Sequence, residues 1–253
     1  MTTPPSSPEQ PGAPPAAAPA PAPGAAAWAL EWIKSIAFAV VVWLLLRTFL
    51  VEPFRIPSGS MENTILVGDW LFVNKAIYGA EIPFTPWHFP IFREPKHGDI
   101  VIFDSVEEEG LKVVKRLIGL PGDTLEMRAG VVYRNGQRLD EPYVLNSTPG
   151  PHTESPDRRF QMRSWQVRHL VGDTTRYFPD LEEWGPIVVP SESLFVMGDH
   201  RDSSYDGRYW GFLPRRNIRG TPMFIYYSFD KDTYKPLPFL TNIRWGRFFH
   251  VPR

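Results

Sequence analysis

Gly98-Asp99-Ile100-Val101-Ile102-Phe103-Asp104-Ser105-Val106-Glu107-Glu108-Glu109-Gly110-Leu111-Lys112-Val113-Val114-Lys115-Arg116-Leu117-Ile118-Gly119-Leu120-Pro121-Gly122-Asp123 holds two apolar runs around an acidic turn. Gly98 to Phe103 reads as a strand, Glu107 to Gly110 as the turn, and the run from Lys112 as a second strand stopped by Pro121-Gly122. By the two-residue period of a strand, Lys115 shares a face with Val113 and Leu117. If that face is buried, the ammonium is desolvated and its pKa falls. A neutral lysine amine is a competent general base toward a serine hydroxyl. If the face is open, Lys115 and Arg116 are a solvated strand edge. Both readings stand at this point.

A serine to pair with that lysine lies upstream, in Phe54-Arg55-Ile56-Pro57-Ser58-Gly59-Ser60-Met61. Pro53 and Pro57 stop any helix arriving from the N-terminal side. Gly59 permits a tight or positive-φ turn, which leaves Ser60 at the start of a new segment. Read alone, Ser60 is either the cap of a short helix beginning at Met61 or a nucleophile in need of a base. The histidines are His88, His97, His152, His169, His200 and His250, and none sits in a Ser-His-Asp context. The chain has no cysteine, which excludes disulfides, thiolate metal sites and cysteine nucleophiles.

Directly before the serine turn runs the one segment apolar enough to span a bilayer. Trp28 to Leu50 is 23 residues, about 35 Å as a helix. Trp28 and Trp32 suit an interface, and Arg47 is close enough to the far end to snorkel. Ahead of it, residues 1–27 are almost only Pro, Ala, Ser, Thr and Gly, with nine prolines in the first 23 positions. Such a segment buries too little to offset chain ordering and is expected to be a disordered tail. Its one charged side chain is Glu9, so it is no secretory n-region. A net charge of −1 gives no reason to expect a nucleic-acid surface.

With these residues in view a family likeness emerges. The anchor followed by Glu52 to Met61 resembles the serine box of bacterial type I signal peptidases. Val114 to Asp123 resembles their lysine box. Gly198-Asp199-His200-Arg201-Asp202-Ser203-Ser204-Tyr205-Asp206-Gly207-Arg208-Tyr209-Trp210-Gly211 resembles a third box, and His97 to Phe103 a fourth, in the same order. Departures are His200 and Ser203, where the family more often has Asn, and His97, where it more often has Arg.

The resemblance implies a mostly β fold: a two-lobed antiparallel β catalytic ectodomain behind one N-terminal transmembrane helix. It implies a Ser-Lys dyad, with Ser60 as nucleophile and Lys115 as general base. Ser58 and the backbone N–H of Ser60 would hold the oxyanion, and Ser204 would orient the lysine. Phe54, Ile56, Pro57, Met61, Ile65 and Val114 would line shallow substrate pockets. Asp199 and Arg208 would brace the Ser204 loop, with Asp206 nearby. The acidic and basic residues of that loop also invite a metal reading, but two arginines in the run favour internal ion pairs, so no metal and no cofactor is expected.

The implied activity is removal of signal peptides from exported preproteins after small-x-small sites, typically Ala-x-Ala. The expected partners are preprotein signal peptides, the lipid bilayer and the neighbourhood of the secretion translocon. The expected place is the bacterial inner membrane, single-pass, with the catalytic domain on the outer, periplasmic face. Charge alone leans the other way, since Lys34 flanks one side of the anchor and Arg47 and Arg55 the other. The alternative reading is a non-catalytic membrane-anchored β domain that binds export components.

The expected organisation is a tail at 1–27, an anchor at 28–50, a catalytic β domain at 51–125, an inserted second β lobe at 126–190, and the rest of the catalytic domain at 191–253. Within the insert, Val131 to Leu139 reads as a hairpin with an Asn-Gly turn. Residues 146–164, polar and interrupted by Pro149, Pro151 and Pro156, read as loop. Two aromatic runs, Pro83 to Phe92 and Ile243 to Phe249, suit either a bilayer surface or packing between lobes.

Overall fold

The computed structural model describes residues 25–79, 90–146, 154–234 and 236–253. The expected tail lies outside the described residues as far as residue 24, and so does the aromatic run as far as Phe89. The chain divides into two compact units at Trp43 and Leu44.

Helix α1 (Ala25–Phe49) begins three residues ahead of the expected anchor. Its stretch Trp28–Phe49, 22 residues, is long and apolar enough to cross a membrane. A core helix would cover one face, whereas here apolar side chains such as Phe38 stand 72% exposed. Arg47 sits in the last turn, where a cation complements the helix dipole.

Eleven strands follow among the described residues: β1 (Val51–Arg55), β2 (Asp69–Asn74), β3 (Ile100–Asp104), β4 (Lys112–Gly119), β5 (Thr124–Arg128), β6 (Val131–Arg134), β7 (Gln137–Arg138), β8 (Trp184–Val188), β9 (Ser193–Met197), β10 (Leu213–Pro214) and β11 (Ile218–Ser228). They form a seven-stranded sheet, ordered β1-β2-β11-β3-β4-β9-β10, and a four-stranded sheet, ordered β7-β6-β5-β8. Every neighbouring pair is antiparallel. The fold is therefore mostly antiparallel β, as expected. Pro53 is tolerated within β1 because β1 is an edge strand and one side of its backbone needs no ladder partner.

Both faces of β4 are covered. Val114 joins an apolar cluster with Ile56, Met61 and Ile102. Leu117 joins another with Val101, Phe103 and Val196. Burial is unbroken from Val114 to Gly119, so the strand shows none of the exposed-buried alternation of a half-solvated strand. The hairpin at Asn135-Gly136 forms as read, with φ of 54° and 76° at its two turn residues.

The loop expected at 146–164 is corrected in its second half. Pro156–Gln166 is a helix, α2. Ser155 caps it by accepting from Arg158 N, and Pro156 occupies its first turn. Its buried residues Met162, Trp165 and Gln166 fall at helical spacing. Ser-Pro-Asp at 155–157 was the start signal, masked by the polar composition around it.

Ile243 to Phe249 splits its chemistry between two environments. Arg244 donates to Val67 O (2.8 Å) and Arg247 to Asp69 (2.6 Å), while Trp245 and Phe249 stay 72% and 75% exposed.

Candidate active site

Lys115, on β4, is 3% exposed. Its Nζ donates to Ser204 Oγ at 3.0 Å. Its pKa is brought down from 10.5 to about 8, chiefly by burial; Asp206 and Asp199 oppose the shift and Arg208 adds to it. The buried reading of Lys115 is thus the one the fold realises.

Ser204 follows a short 3-10 turn, Arg201–Ser203, and Gly198 makes room for it. A Cβ on Gly198 would lie 2.2 Å from Ser204 Oγ and 2.5 Å from Ser60 O. His200 N donates to Ser60 O (3.1 Å), which ties the serine turn to the same loop. No helix starts at Met61; residues 60–64 are turns, with Glu62 N bonded to Gly59 O (2.9 Å) and Ile65 N to Met61 O (2.8 Å). A Cβ on Gly59 would meet the Glu62 carboxylate at 2.6 Å, so the Glu62 side chain folds over the turn at this position.

Ser58, Ser60 and Lys115 line one cavity of about 590 Å³. Phe54, Ile56, Pro57, Met61 and Val114 line it as well. Ile65 does not: it is fully buried in the cluster that holds Ile56 and Met61. A lysine amine, a hydroxyl-bearing turn and a small apolar lining thus meet in one cleft.

Of the ion pairs expected within the charged loop, Arg208–Asp206 forms there, whereas Asp199 and Arg201 take partners outside it, Arg116 and Glu141. Asp199 binds Arg116, at 2.7 Å to Nε and 2.6 Å to Nη2, and also accepts from Thr64 Oγ1 at 2.6 Å. The guanidinium lies 3.8 Å from the Tyr143 ring centre. Arg208 pairs instead with Asp206, both bonds at 2.9 Å, and reaches the carbonyl of Arg201 at 2.7 Å. Burial alone would raise the Asp206 pKa, but Arg208 outweighs it and holds the carboxylate below its usual range. His200 Nδ1 lies 3.1 Å from Glu62 Oε2. Arg116 and Gly198 escaped the sequence reading. Arg116 looked like a companion of Lys115 on an edge, and its partner is 83 positions away.

One backbone feature completes the cleft. Leu117 N donates to Asp99 O and Gly98 N to Leu117 O, both at 2.8 Å, so odd-numbered residues of β4 turn their polar backbone groups toward β3. Lys112 and Val114, by alternation, turn theirs the opposite way. There β9 pairs only from Arg116 onward, and among the described residues no strand covers that edge.

Comparison with known proteins bears on this geometry. The family described as "Signal peptidase, peptidase S26" matches residues 29–227. A signal peptidase I of Pseudomonas aeruginosa is 35% identical over 224 residues, covering 83% of this chain and 76% of the relative. One of Bacillus licheniformis is 36% identical over 202 residues, covering 79% and 89%. A solved signal peptidase I from Enterococcus faecalis V583 is 30% identical and covers 51% of this chain and 97% of that one, at a TM-score of 0.34. The chain belongs to the signal peptidase family, peptidase S26. A non-catalytic binding domain is not favoured, because the matched relatives are peptidases.

Proposed function

We propose that Ser60 is the nucleophile and Lys115 the general base with which this signal peptidase cuts the signal peptides of preproteins. The supporting observation is the buried Lys115 amine, brought down to about 8 and held by Ser204, in the cavity that Ser60 lines. An amine near that pKa is substantially neutral at mildly alkaline pH and still basic enough to take a proton.

Ser60 Oγ attacks the scissile carbonyl as its proton passes to Lys115 Nζ. The tetrahedral oxyanion takes hydrogen bonds from Ser60 N–H and the Ser58 hydroxyl. The C–N bond breaks, and the Lys115 ammonium returns its proton to the leaving amine. Neutral Lys115 then takes a proton from water as it attacks the acyl-Ser60 ester, and returns that proton to Ser60 Oγ as the C–O bond breaks, releasing the carboxylic acid product and restoring the resting site. Ser204 positions the amine throughout. Asp199 with Arg116, and Asp206 with Arg208, hold the loop that carries Ser204.

The substrate lies extended along the open edge of β4, using the backbone groups of Lys112 and Val114. Its first and third residues before the scissile bond enter the pockets of Phe54, Ile56, Pro57, Met61 and Val114. Those shallow apolar walls admit alanine-sized side chains and clash with larger ones, which selects small-x-small sites.

Helix α1 crosses the bacterial inner membrane once and leaves the catalytic domain on the outer face, beside the secretion translocon. Exposed Trp245 and Phe249 rest on the lipid surface. Proteinase added outside intact spheroplasts should remove the domain; full protection would reverse the orientation.

The test of the chemistry uses detergent-solubilised full-length protein and a preprotein with an Ala-x-Ala site. Cleavage after the second alanine is expected, and it should persist in EDTA. Ser60→Ala and Lys115→Ala should each abolish it with an unchanged circular dichroism spectrum. Full activity in Lys115→Ala would sink the dyad.

A further inference from the structure

We propose that the middle residue of the small-x-small site is read by a second compartment of the cleft, with Glu107 and Tyr205 as its specificity determinants. The inference rests on the reading that the peptide lies extended along β4.

Consecutive side chains of a paired strand point to opposite faces of the sheet. When the first and third residues before the scissile bond turn toward Val114, the second turns toward Val113. On that side the cavity continues, bounded by Val106, Glu107, Leu111, Val113, Tyr205 and Trp210. Val106, Val113 and Trp210 pack on the cluster of Phe103 and Leu117, so the floor is apolar and fixed.

The outer wall is polar and built. Tyr205 Oη donates to Glu107 Oε1 at 2.9 Å and accepts from Gln161 Nε2 at 2.6 Å. Its ring stacks on Tyr209, with centroids 5.2 Å apart and planes 20° apart. The Glu107 backbone is set by Ser105, whose Oγ accepts from the N–H groups of Glu107 and Glu108, both at 3.2 Å. Glu107 therefore presents a carboxylate to the cleft from a defined turn, and among the described residues no ion pair neutralises it. Nearby cations are engaged elsewhere: Lys112 with Glu52 (3.1 Å), Lys115 with Ser204, and Arg158 with Glu154 (3.6 Å). The compartment suits a long side chain with an apolar stem and a cationic or donor tip, and it repels a carboxylate.

Tyr205 directly follows Ser204, so the residue that shapes this compartment is adjacent to the one that positions Lys115. The acidic turn at 107–110 and Tyr205 thus acquire a task that the dyad leaves unassigned.

The experiment measures kcat/KM of the detergent-solubilised full chain on three peptides that differ only at the middle position: Ala-Lys-Ala, Ala-Gln-Ala and Ala-Glu-Ala. Lysine should exceed glutamate by about fivefold to tenfold at low salt, and the ratio should shrink as salt screens the charge. Glu107→Gln should bring the ratio to near one, and Glu107→Lys should invert it. Tyr205→Phe should lower it by releasing Glu107 from its bond. Each ratio is taken within one preparation, so a partly misfolded variant still reports it. Cleavage of all three peptides with equal kcat/KM by the unmodified protein, or a ratio untouched by Glu107→Gln, would overturn the proposal. Failure to cleave any of the three would instead overturn the small-x-small reading of the cleft, and this inference with it.

Discussion

Lys115 Nζ donates to Ser204 Oγ across 3.0 Å, a bond between residues 89 positions apart. It fixes the end of a four-carbon side chain whose rotamer freedom is otherwise worth about 2 kcal/mol. Ser204→Ala should therefore lower kcat by roughly 10- to 100-fold, the equivalent of losing a hydrogen bond to a charged partner. KM should change little, because Ser204 is buried beside the amine rather than in the substrate pockets. Steady-state kinetics on one preprotein would separate the two parameters, and an effect confined to KM would contradict the positioning role.

The pH dependence follows from the protonation state of Lys115. The proposed Lys115 base acts when neutral, so kcat/KM should rise with pH and level off above about 8. It is lost as pH falls through that value and the amine takes up its proton. A flat profile from about pH 6 to 9 would exclude a lysine base of this kind.

The same shift costs stability. The folded-state pKa is about 8 against an ordinary 10.5, so between those values the unfolded chain holds a proton that the native state has released. Stability then rises with pH across that window. Below it both states are protonated, and the native state carries the whole cost of a buried ammonium, about 3 kcal/mol. Lys115→Met should raise the melting temperature at neutral pH, with a gain that shrinks above pH 8 and vanishes past 10.5. A gain independent of pH would show that packing, not charge, is responsible.

Gly198→Ala tests the approach of the Ser204 loop to the serine turn. The new methyl would fall 2.2 Å from Ser204 Oγ and 2.5 Å from Ser60 O, so one of the two must move. Displacement of a reacting group by an ångström costs on the order of a hundredfold in rate. Activity should drop by about that factor while circular dichroism is retained.

Arg116 and Asp199 are both almost fully buried, 2% and 0% exposed. Removing one charge leaves the other buried without its partner. Asp199→Ala should destabilise by about 3–5 kcal/mol, a fall in melting temperature on the order of 10 °C. Replacing both residues by apolar ones should cost less than either single change. Additive losses in the double variant would argue that the pair makes no cooperative contribution.

Much of the site was legible from local chemistry. Ser60 in a proline-flanked turn, Lys115 on a strand and Ser204 in an acidic-basic loop are each visible as residue type in a recognisable setting. The hairpin at Asn135-Gly136 was legible because positive φ at both turn residues demands those side chains. Helix α2 was not read, because its charged exposed face drowned the three buried positions that define its inner one.

The sequence by itself determined the strands around Lys115, the Asn-Gly hairpin, the apolar span from Trp28 to Leu50, and which side chains have the chemistry for a Ser-Lys site. It left open whether Lys115 was buried or solvated, because period-two alternation says which side chains share a face and not what covers that face. Tertiary structure settled that by covering both faces of β4, so that the adjacent Lys115 and Arg116 are 3% and 2% exposed and find different partners. Only the packing decided that Asp199 belongs to Arg116, that Gly198 lets Ser204 reach the amine, and that Ile65 lies in the core. Desolvation and pairing depend on groups dozens of residues away, and those distances close only when the sheet forms.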